Sequence, residues 1–396
     1  MVEAGPLSGP PGRRRIQKTE ASGIPGRMDP MERAVRWDRL REEMAREGVE
    51  LLALVPGANL FYLTGLHFHR MERPIVALLP REGEPALILP AFEVEKAQRA
   101  PIPWRLFPYT DAEGPASAFH AAAAALGWRG HTIAVETLGM RVLEWSLLAK
   151  AFESPTPLPA EPLLARLRMV KGPEEIAAIR RAIAAAEAAL QQWLPEVRPG
   201  MTEREATRRL IQACFAAGAD ALAFEPIVVA GPNAALPHAT PSERPMGPGE
   251  MMIVDFGVIM DGYVSDLTRT FVLGEPDPET ARIYEVVREA NAAGRAAVRP
   301  GIPAEAVDRA ARAVIEAAGY GPYFPHRTGH GLGLEIHEPP YLVQGDRTLL
   351  TPGMVFTVEP GIYLPGRGGV RIEDVVVVTE TGGESLTTFP RELRSL

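Results

Sequence analysis

Apolar and polar positions run through this chain in two rhythms, one of period near four and one of short unbroken blocks. From Met31, MERAVRWDRLREEMAREG carries apolar residues at helical spacing and ends on Gly48, a residue suited to a helix C-terminus. VELLALVPG then reads as a strand, and NLFYLTG, PIVALLP and EPALILP continue as short apolar runs broken by Gly and Pro. AFHAAAAALG and LEWSLLAKAF read as helices, with HTIAVET between them as a strand. Such alternation predicts an α/β domain over residues 31–155. No cluster of reactive side chains stands out in it.

SPTPLPAEP, residues 154–162, is Pro-rich and reads as a linker to a second domain over 163–396. That domain opens on a long helix, PEEIAAIRRAIAAAEAALQQWLPEV, with Pro173 and acidic residues in its first turn. TEREATRRLIQACFAAG is a second helix, opened by a Thr202–Glu205 capping box. Strands follow in AFEPIVVAG, EMMIVDFGVIM and YVSDLTRTFVLG, then helices in ETARIYEVVREANAAGRAAV and AEAVDRAARAVIEAAG, then strands in MVFTVEPGIYL and GGVRIEDVVVVTE. Two rounds of helix, helix and strands hint at an internal duplication. Residues 1–30 hold five Pro and five Gly without periodicity, which predicts a disordered tail and a natural start at Met28 or Met31.

Composition narrows the class. The 396 residues suffice for two domains, and 46% hydrophobic with 23% charged residues is ordinary for a globular protein. A net charge of -8 argues against a nucleic-acid partner. No apolar run approaches the roughly 18 residues that span a bilayer, so no membrane partner is expected. Arg13, Arg14 and Arg15 have no apolar core behind them, so they do not form a signal peptide, and a cytoplasmic location is expected. The single cysteine, Cys214, excludes an intrachain disulfide and sits in an apolar helical stretch that suits core packing.

The informative residues are acids inside apolar strands. Asp255 interrupts MMIVDFGVI and Asp266 interrupts YVSDLTRTFV. A buried ionised carboxylate costs several kcal/mol unless it is paired or binds a metal. The two strands meet at Asp261-Gly262, a strong two-residue hairpin signal, which sets Asp255 opposite Thr268 and puts Asp255 and Asp266 on one face. Glu359 in VFTVEPGIY and Glu373 in GGVRIEDVVVV form a second pair, 14 residues apart; any tight hairpin with an odd loop puts them on one face. Between the hairpins, HRTGHGLGLEIHE offers His326, His330 and His337 in a Gly-rich stretch whose backbone can pack close to a site. Four converging carboxylates would repel one another, and two divalent cations would balance their charge. Imidazole with carboxylates suits manganese, iron, cobalt or zinc. Each residue alone has a plainer reading: an Asp in a strand as a local hydrogen-bonding group, Glu373-Asp374 as a solvated strand edge, His69 or His131 as surface or satisfied core. The joint pattern outweighs these.

These motifs together, DFG, DGYVSDLTRTF, HRTGHGLGLEIHE, VEPGIY and VRIEDVVVV, resemble the pita-bread metallopeptidases, the group that includes prolidase, aminopeptidase P, methionine aminopeptidase and the metal-free creatinase. The resemblance covers the second half and extends loosely to the first, which resembles a creatinase-type N-terminal domain through NLFYLTG. It implies an α+β fold, a pita-bread catalytic domain behind a creatinase-like α/β domain. It also implies metal ligands at Asp255, Asp266, His330, Glu359 and Glu373, with none missing, which argues against creatinase or a non-catalytic scaffold. The extra N-terminal domain and His326 point away from methionine aminopeptidase and toward the proline-directed members. By the same resemblance Glu359 is the acid/base, and His238 and His337 donate to the oxyanion and substrate. His326 contacts the substrate's far end, and Arg371 orients Glu373 or Asp255. Two metal ions, manganese foremost with cobalt, zinc or iron possible by ligand type, would serve hydrolysis of an N-terminal Xaa-Pro bond in dipeptides or short peptides. The rival readings are an Xaa-Pro aminopeptidase on longer peptides and a non-catalytic or non-peptide amide-binding member of the fold. A homodimer is expected, and His67, His69 and Arg70 form either the loop that edges the partner's site or an ordinary polar loop. GHGLGL fails the dinucleotide-binding pattern, and no HExxH, P-loop or GxSxG motif is present.

Overall fold

The computed structural model describes residues 30–128 and 130–396. The expected tail falls, apart from Pro30, outside the described residues, as does Met28. The first half is built on a six-stranded mixed sheet in the order Arg105–Tyr109, Ala86–Pro90, Val76–Pro80, Leu51–Leu54, Thr132–Val135, Thr156–Pro159. Its central strands are apolar at every position because both faces are covered. Leu51 and Ala53 join Phe119 and Leu148 on one side, and Leu52 and Leu54 join Leu40, Leu63 and Leu163 on the other.

Two expectations in this half are corrected. NLFYLTG is a helix, Ala58–Thr64, closed by Gly65 in the left-handed region at φ 70° with its N–H bonded to Phe61 O. Its buried residues, Leu60, Tyr62, Leu63 and Thr64, include helical three- and four-residue spacings, a signal too short to separate from a strand. The Pro-rich stretch read as a linker contains the edge strand Thr156–Pro159, parallel to Thr132–Val135. Thr156 N–H bonds His131 O at 2.7 Å and Ala160 N–H bonds Val135 O at 2.9 Å, so the even-numbered positions face the sheet. Pro155, Pro157 and Pro159 fall on the outer edge, where a missing N–H leaves no ladder bond unmade.

In the second half the order helix, helix, strands occurs twice. Helices Pro173–Trp193 and Glu203–Ala216 cover strands Ile227–Ala230, Met251–Phe256 and Leu267–Val272. Helices Pro278–Ala297 and Glu305–Ala317 precede the five-stranded sheet Glu338–Leu342, Gly329–Gly331, Val355–Val358, Asp374–Val378, Gly383–Ser385. Thr202 Oγ1 accepts from Glu205 N–H at 3.1 Å, but the Glu205 carboxylate turns to Arg209, so half of the expected capping box forms. Cys214 is buried in the core of this half, and burial pushes its thiol up to about 12. Among the described residues no helix is long and apolar enough to cross a membrane.

Candidate metal centre

Asp261 and Gly262 both take positive φ, 53° and 83°, as a two-residue hairpin turn of this hand requires. Met260 pairs with Tyr263, and the same register continues to set Asp255 opposite Thr268, as the turn predicts. The second strand is not continuous, however. It breaks between Val264 and Leu267, and Asp266 sits in the break. Gly257 faces that break, where a Cβ would lie 2.0 Å from Ser265 O.

The second hairpin repeats the device. MVFTVEPGIYL and GGVRIEDVVVV each divide between two sheets, Val355–Val358 with Asp374–Val378 and Gly361–Leu364 with Gly368–Arg371. Val358 pairs with Asp374 and Gly361 with Arg371. Carrying that common register through the gap puts Glu359 opposite Glu373. Asp266, Glu359 and Glu373 thus all stand where the backbone leaves one ladder for another, which frees their side chains to turn inward.

His330 lies on the short strand Gly329–Gly331. Its two glycines let this strand pass close to its neighbours: a Cβ would lie 1.9 Å from Thr357 O at Gly329 and 2.4 Å from Pro339 O at Gly331. His330 Nδ1–H donates to Gly331 O at 3.1 Å. Nε2 then faces the acids, 3.2 Å from Glu359 Oε1 and 3.7 Å from Asp266 Oδ2. The hairpins join where Thr268 Oγ1 donates to Glu373 Oε2 at 2.6 Å and Glu373 N–H donates to Thr268 O at 3.1 Å.

The electrostatics are those of a site short of positive charge. Ligand atoms of Asp266, His330 and Glu373 all lie within 4.8 Å of one another, and all three residues are buried. Burial and the neighbouring carboxylates raise Asp266 and Glu373 well above the ordinary range. Burial also raises Asp255, against the opposing pull of Arg371. Glu359 goes the other way: burial opposes its charge, but the His330 hydrogen bond and nearby His330, His326 and Arg371 outweigh it, to about 2. Glu373 Oε1 is buried with no protein partner. A buried oxygen left without a donor, beside an imidazole nitrogen and further carboxylates, fits a divalent cation and fits little else.

The remaining four predicted residues, Arg371, His326, His337 and His238, line the same cavity of about 510 Å³ as the five candidate ligands. Arg371 donates to Asp255 rather than to Glu373; it also donates to Thr268 Oγ1, Tyr363 Oη and Pro237 O. His326 has both ring nitrogens engaged, Nδ1 with Arg327 O at 2.8 Å and Nε2 with Tyr363 Oη at 2.9 Å. It therefore presents a ring edge, not a free nitrogen, to the cavity. His337 is exposed at the rim, edge-on to His330 with ring centroids 4.1 Å apart. Partial burial and the charges of His330 and Arg327 hold its pKa below the ordinary value. His238 is exposed on the loop that follows Ile227–Ala230. Phe224, Ile227, Pro237 and Ile336 supply apolar wall. His67, His69 and Arg70 are exposed and do not line the cavity.

Several supporting residues carry no signal in the sequence. Tyr363 bridges His326 and Arg371, and Thr357 donates to Glu359 while accepting from His330 N–H. Glu203, fully buried, accepts from Ala230 N–H, Asn233 and Ser242, and so pins both ends of the loop that carries His238. Tyr363 lies in the VEPGIY motif beside Glu359, which is the one hint that could have drawn notice to it.

Comparison with known proteins follows the same division. Residues 177–380 match the model of metallopeptidase family M24, and residues 36–170 match the creatinase/prolidase N-terminal domain. The chain is 41% identical over 354 residues to a probable dipeptidase PepE of Mycobacterium bovis, covering 88% of this chain and 92% of the relative. Its fold is similar to a prolidase from Thermococcus sibiricus, with a TM-score of 0.89 and 36% identity over 93% of this chain and 100% of that one. It is also similar to an Xaa-Pro dipeptidase from Bacillus anthracis, with a TM-score of 0.84 and 33% identity over 92% and 100% of the two chains.

Proposed function

The chain belongs to metallopeptidase family M24, and from that premise we propose that it is an Xaa-Pro dipeptidase that works with two divalent metal ions. The observation that carries the reading is the inward convergence of carboxylates on His330, with Glu373 Oε1 buried and unpartnered. Asp255, Asp266, His330, Glu359 and Glu373 would hold the ions, and two divalent charges offset four carboxylates. Ions bound there would supply Lewis acidity toward water and toward the scissile carbonyl. Manganese is the first assignment, with cobalt, zinc and iron compatible with the same donors.

The chain's own side chains do the rest. Glu359 lines the cavity, where its carboxylate accepts the proton of the attacking water and passes it to the leaving nitrogen. Proline nitrogen carries no hydrogen in the peptide and must gain one as the bond breaks, so that transfer decides turnover. His337 and His238 stand at the rim as donors to the developing oxyanion and to the substrate backbone. Arg371 fixes Asp255, and Thr268 fixes Glu373. The cavity and its apolar wall of Phe224, Ile227, Pro237 and Ile336 suit a short substrate with a proline ring. The reading includes a homodimer in which the loop with His67, His69 and Arg70, which does not line the cavity of its own chain, edges the partner's. Sedimentation giving a fully active monomer would contradict that arrangement.

Release of free proline from Ala-Pro, beside Ala-Pro-Ala and Ala-Ala, tests the substrate. Cleavage of Ala-Pro alone is expected. Preference for the tripeptide would make the enzyme an Xaa-Pro aminopeptidase, and no cleavage of any with metals bound would remove the proline reading.

A further inference from the structure

The first half of the chain carries no reactive cluster, yet one of its contacts reaches the catalytic rim. His337 sits between the strands Gly329–Gly331 and Glu338–Leu342, where the backbone from Gly333 to His337 belongs to no ladder. Among the described residues no hydrogen bond holds its ring. The ring packs edge-on against His330, so the hold on the backbone that carries it comes from the residues that flank it.

We propose that Arg168 is the positioning residue for His337, a proposal that rests on the role given to His337 above. Arg168 ends the helix Glu161–Arg168 and is 7% exposed. Its Nη1 donates to Glu335 Oε2 at 2.7 Å, and its Nη2 donates to Glu338 Oε2. One guanidinium therefore grips the carboxylate two residues before His337 and the carboxylate one residue after it. A planar fork suits this double hold, which a lysine could not copy. Lys171 takes the other oxygen of Glu338. The packing beneath is closed: a Cβ at Gly333 would lie 2.8 Å from Glu338 Oε1 and 3.0 Å from Lys171 Cε.

Arg168 is itself held from the first half. Its Nη1 also donates to Asn59 Oδ1 at 2.8 Å. Asn59 in turn donates to Glu136 Oε1 at 2.8 Å, and Glu136 Oε2 accepts from Val55 N–H at 2.7 Å. The chain of contacts runs from the central sheet of the first half to the residues flanking His337. A second cavity, of about 320 Å³, lies along this path and is walled by Glu136, Arg168, Glu335 and His337. His337 thus walls both cavities. Without the grip of Arg168 its ring has room to leave the catalytic side.

A double-mutant cycle on Ala-Pro turnover separates this from general bracing of the two halves. Arg168→Met is expected to lower kcat about ten- to hundredfold, with KM and metal content near the parent's. Arg168→Lys restores part of the loss. In the His337→Ala background Arg168→Met should cost nothing further, since the residue it acts through is gone. Glu335→Gln, whose side chain is half exposed, serves in the same cycle if Arg168→Met does not fold. An undiminished kcat loss in the His337→Ala background, or a loss that tracks metal content, overturns the proposal. Parent-like turnover of His337→Ala alone would overturn it too, by removing the role of His337 on which it rests.

Discussion

Thr268 Oγ1 donates to Glu373 Oε2 at 2.6 Å, while Glu373 Oε1 has no protein partner. One oxygen is held by the opposite hairpin and the other is left for a ligand. Thr268 also sits directly across from Asp255, so a single hydroxyl stands between acids of both hairpins. Thr268→Val keeps the shape and removes the donor. Its metal affinity, read by competition with a chelator, should fall about ten- to hundredfold. Unchanged affinity would mean that Glu373 needs no orienting partner.

Glu359→Gln keeps the side chain's size and an oxygen but cannot carry the proton. Turnover of Ala-Pro should fall by about two to four orders of magnitude, with the protein folded. Near-normal turnover at full metal occupancy would take Glu359 out of the proton path.

The buried group Glu338, Arg168 and Lys171 gives a pH signature in stability. Burial opposes the charge on Glu338, but Lys171 and Arg168 outweigh it and hold its pKa below the ordinary value. A depressed folded pKa means stability that is present above the unfolded value, about 4.3, and lost as pH falls below it. Glu338→Gln leaves buried Lys171 without a carboxylate and Arg168 with Glu335 alone, and should cost about 3–5 kcal/mol at pH 7 by denaturant titration. The gap between parent and variant should narrow as the pH is lowered through 4. A gap that stays constant with pH would show that the carboxylate charge contributes nothing there.

Cys214 is buried with its thiol pushed up to about 12. The native protein should therefore resist iodoacetamide at pH 8, since the thiolate is the reactive form. Rapid labelling would contradict the closed core around Cys214.

Much of the centre was legible from local pattern. Asp261-Gly262 dictates the turn, and the turn dictates that Asp255 faces Thr268. Parity alone relates Glu359 to Glu373, because the loop Pro365–Arg367 has three residues. What local pattern could not give was the breaks. YVSDLTRTFV and MVFTVEPGIYL are apolar on both sides of their acids, so they read as single strands, whereas each changes sheet at its acid. Partners far apart in the chain were equally hidden. Arg371 meets Asp255 across 116 positions and Arg168 meets Glu338 across 170, and no periodicity encodes such pairs. The edge strand Thr156–Pro159 was masked by its prolines, whose composition suits a linker as well as an outer edge.

The most direct test of the central claim is a metal titration of the apo protein, counting bound manganese or cobalt by elemental analysis while following Ala-Pro hydrolysis. The account predicts two ions per chain at saturation, activity that rises with occupancy, and a lower count in Asp266→Asn and Glu373→Gln. Saturation at one ion or none, or an unchanged count in both variants, would contradict it.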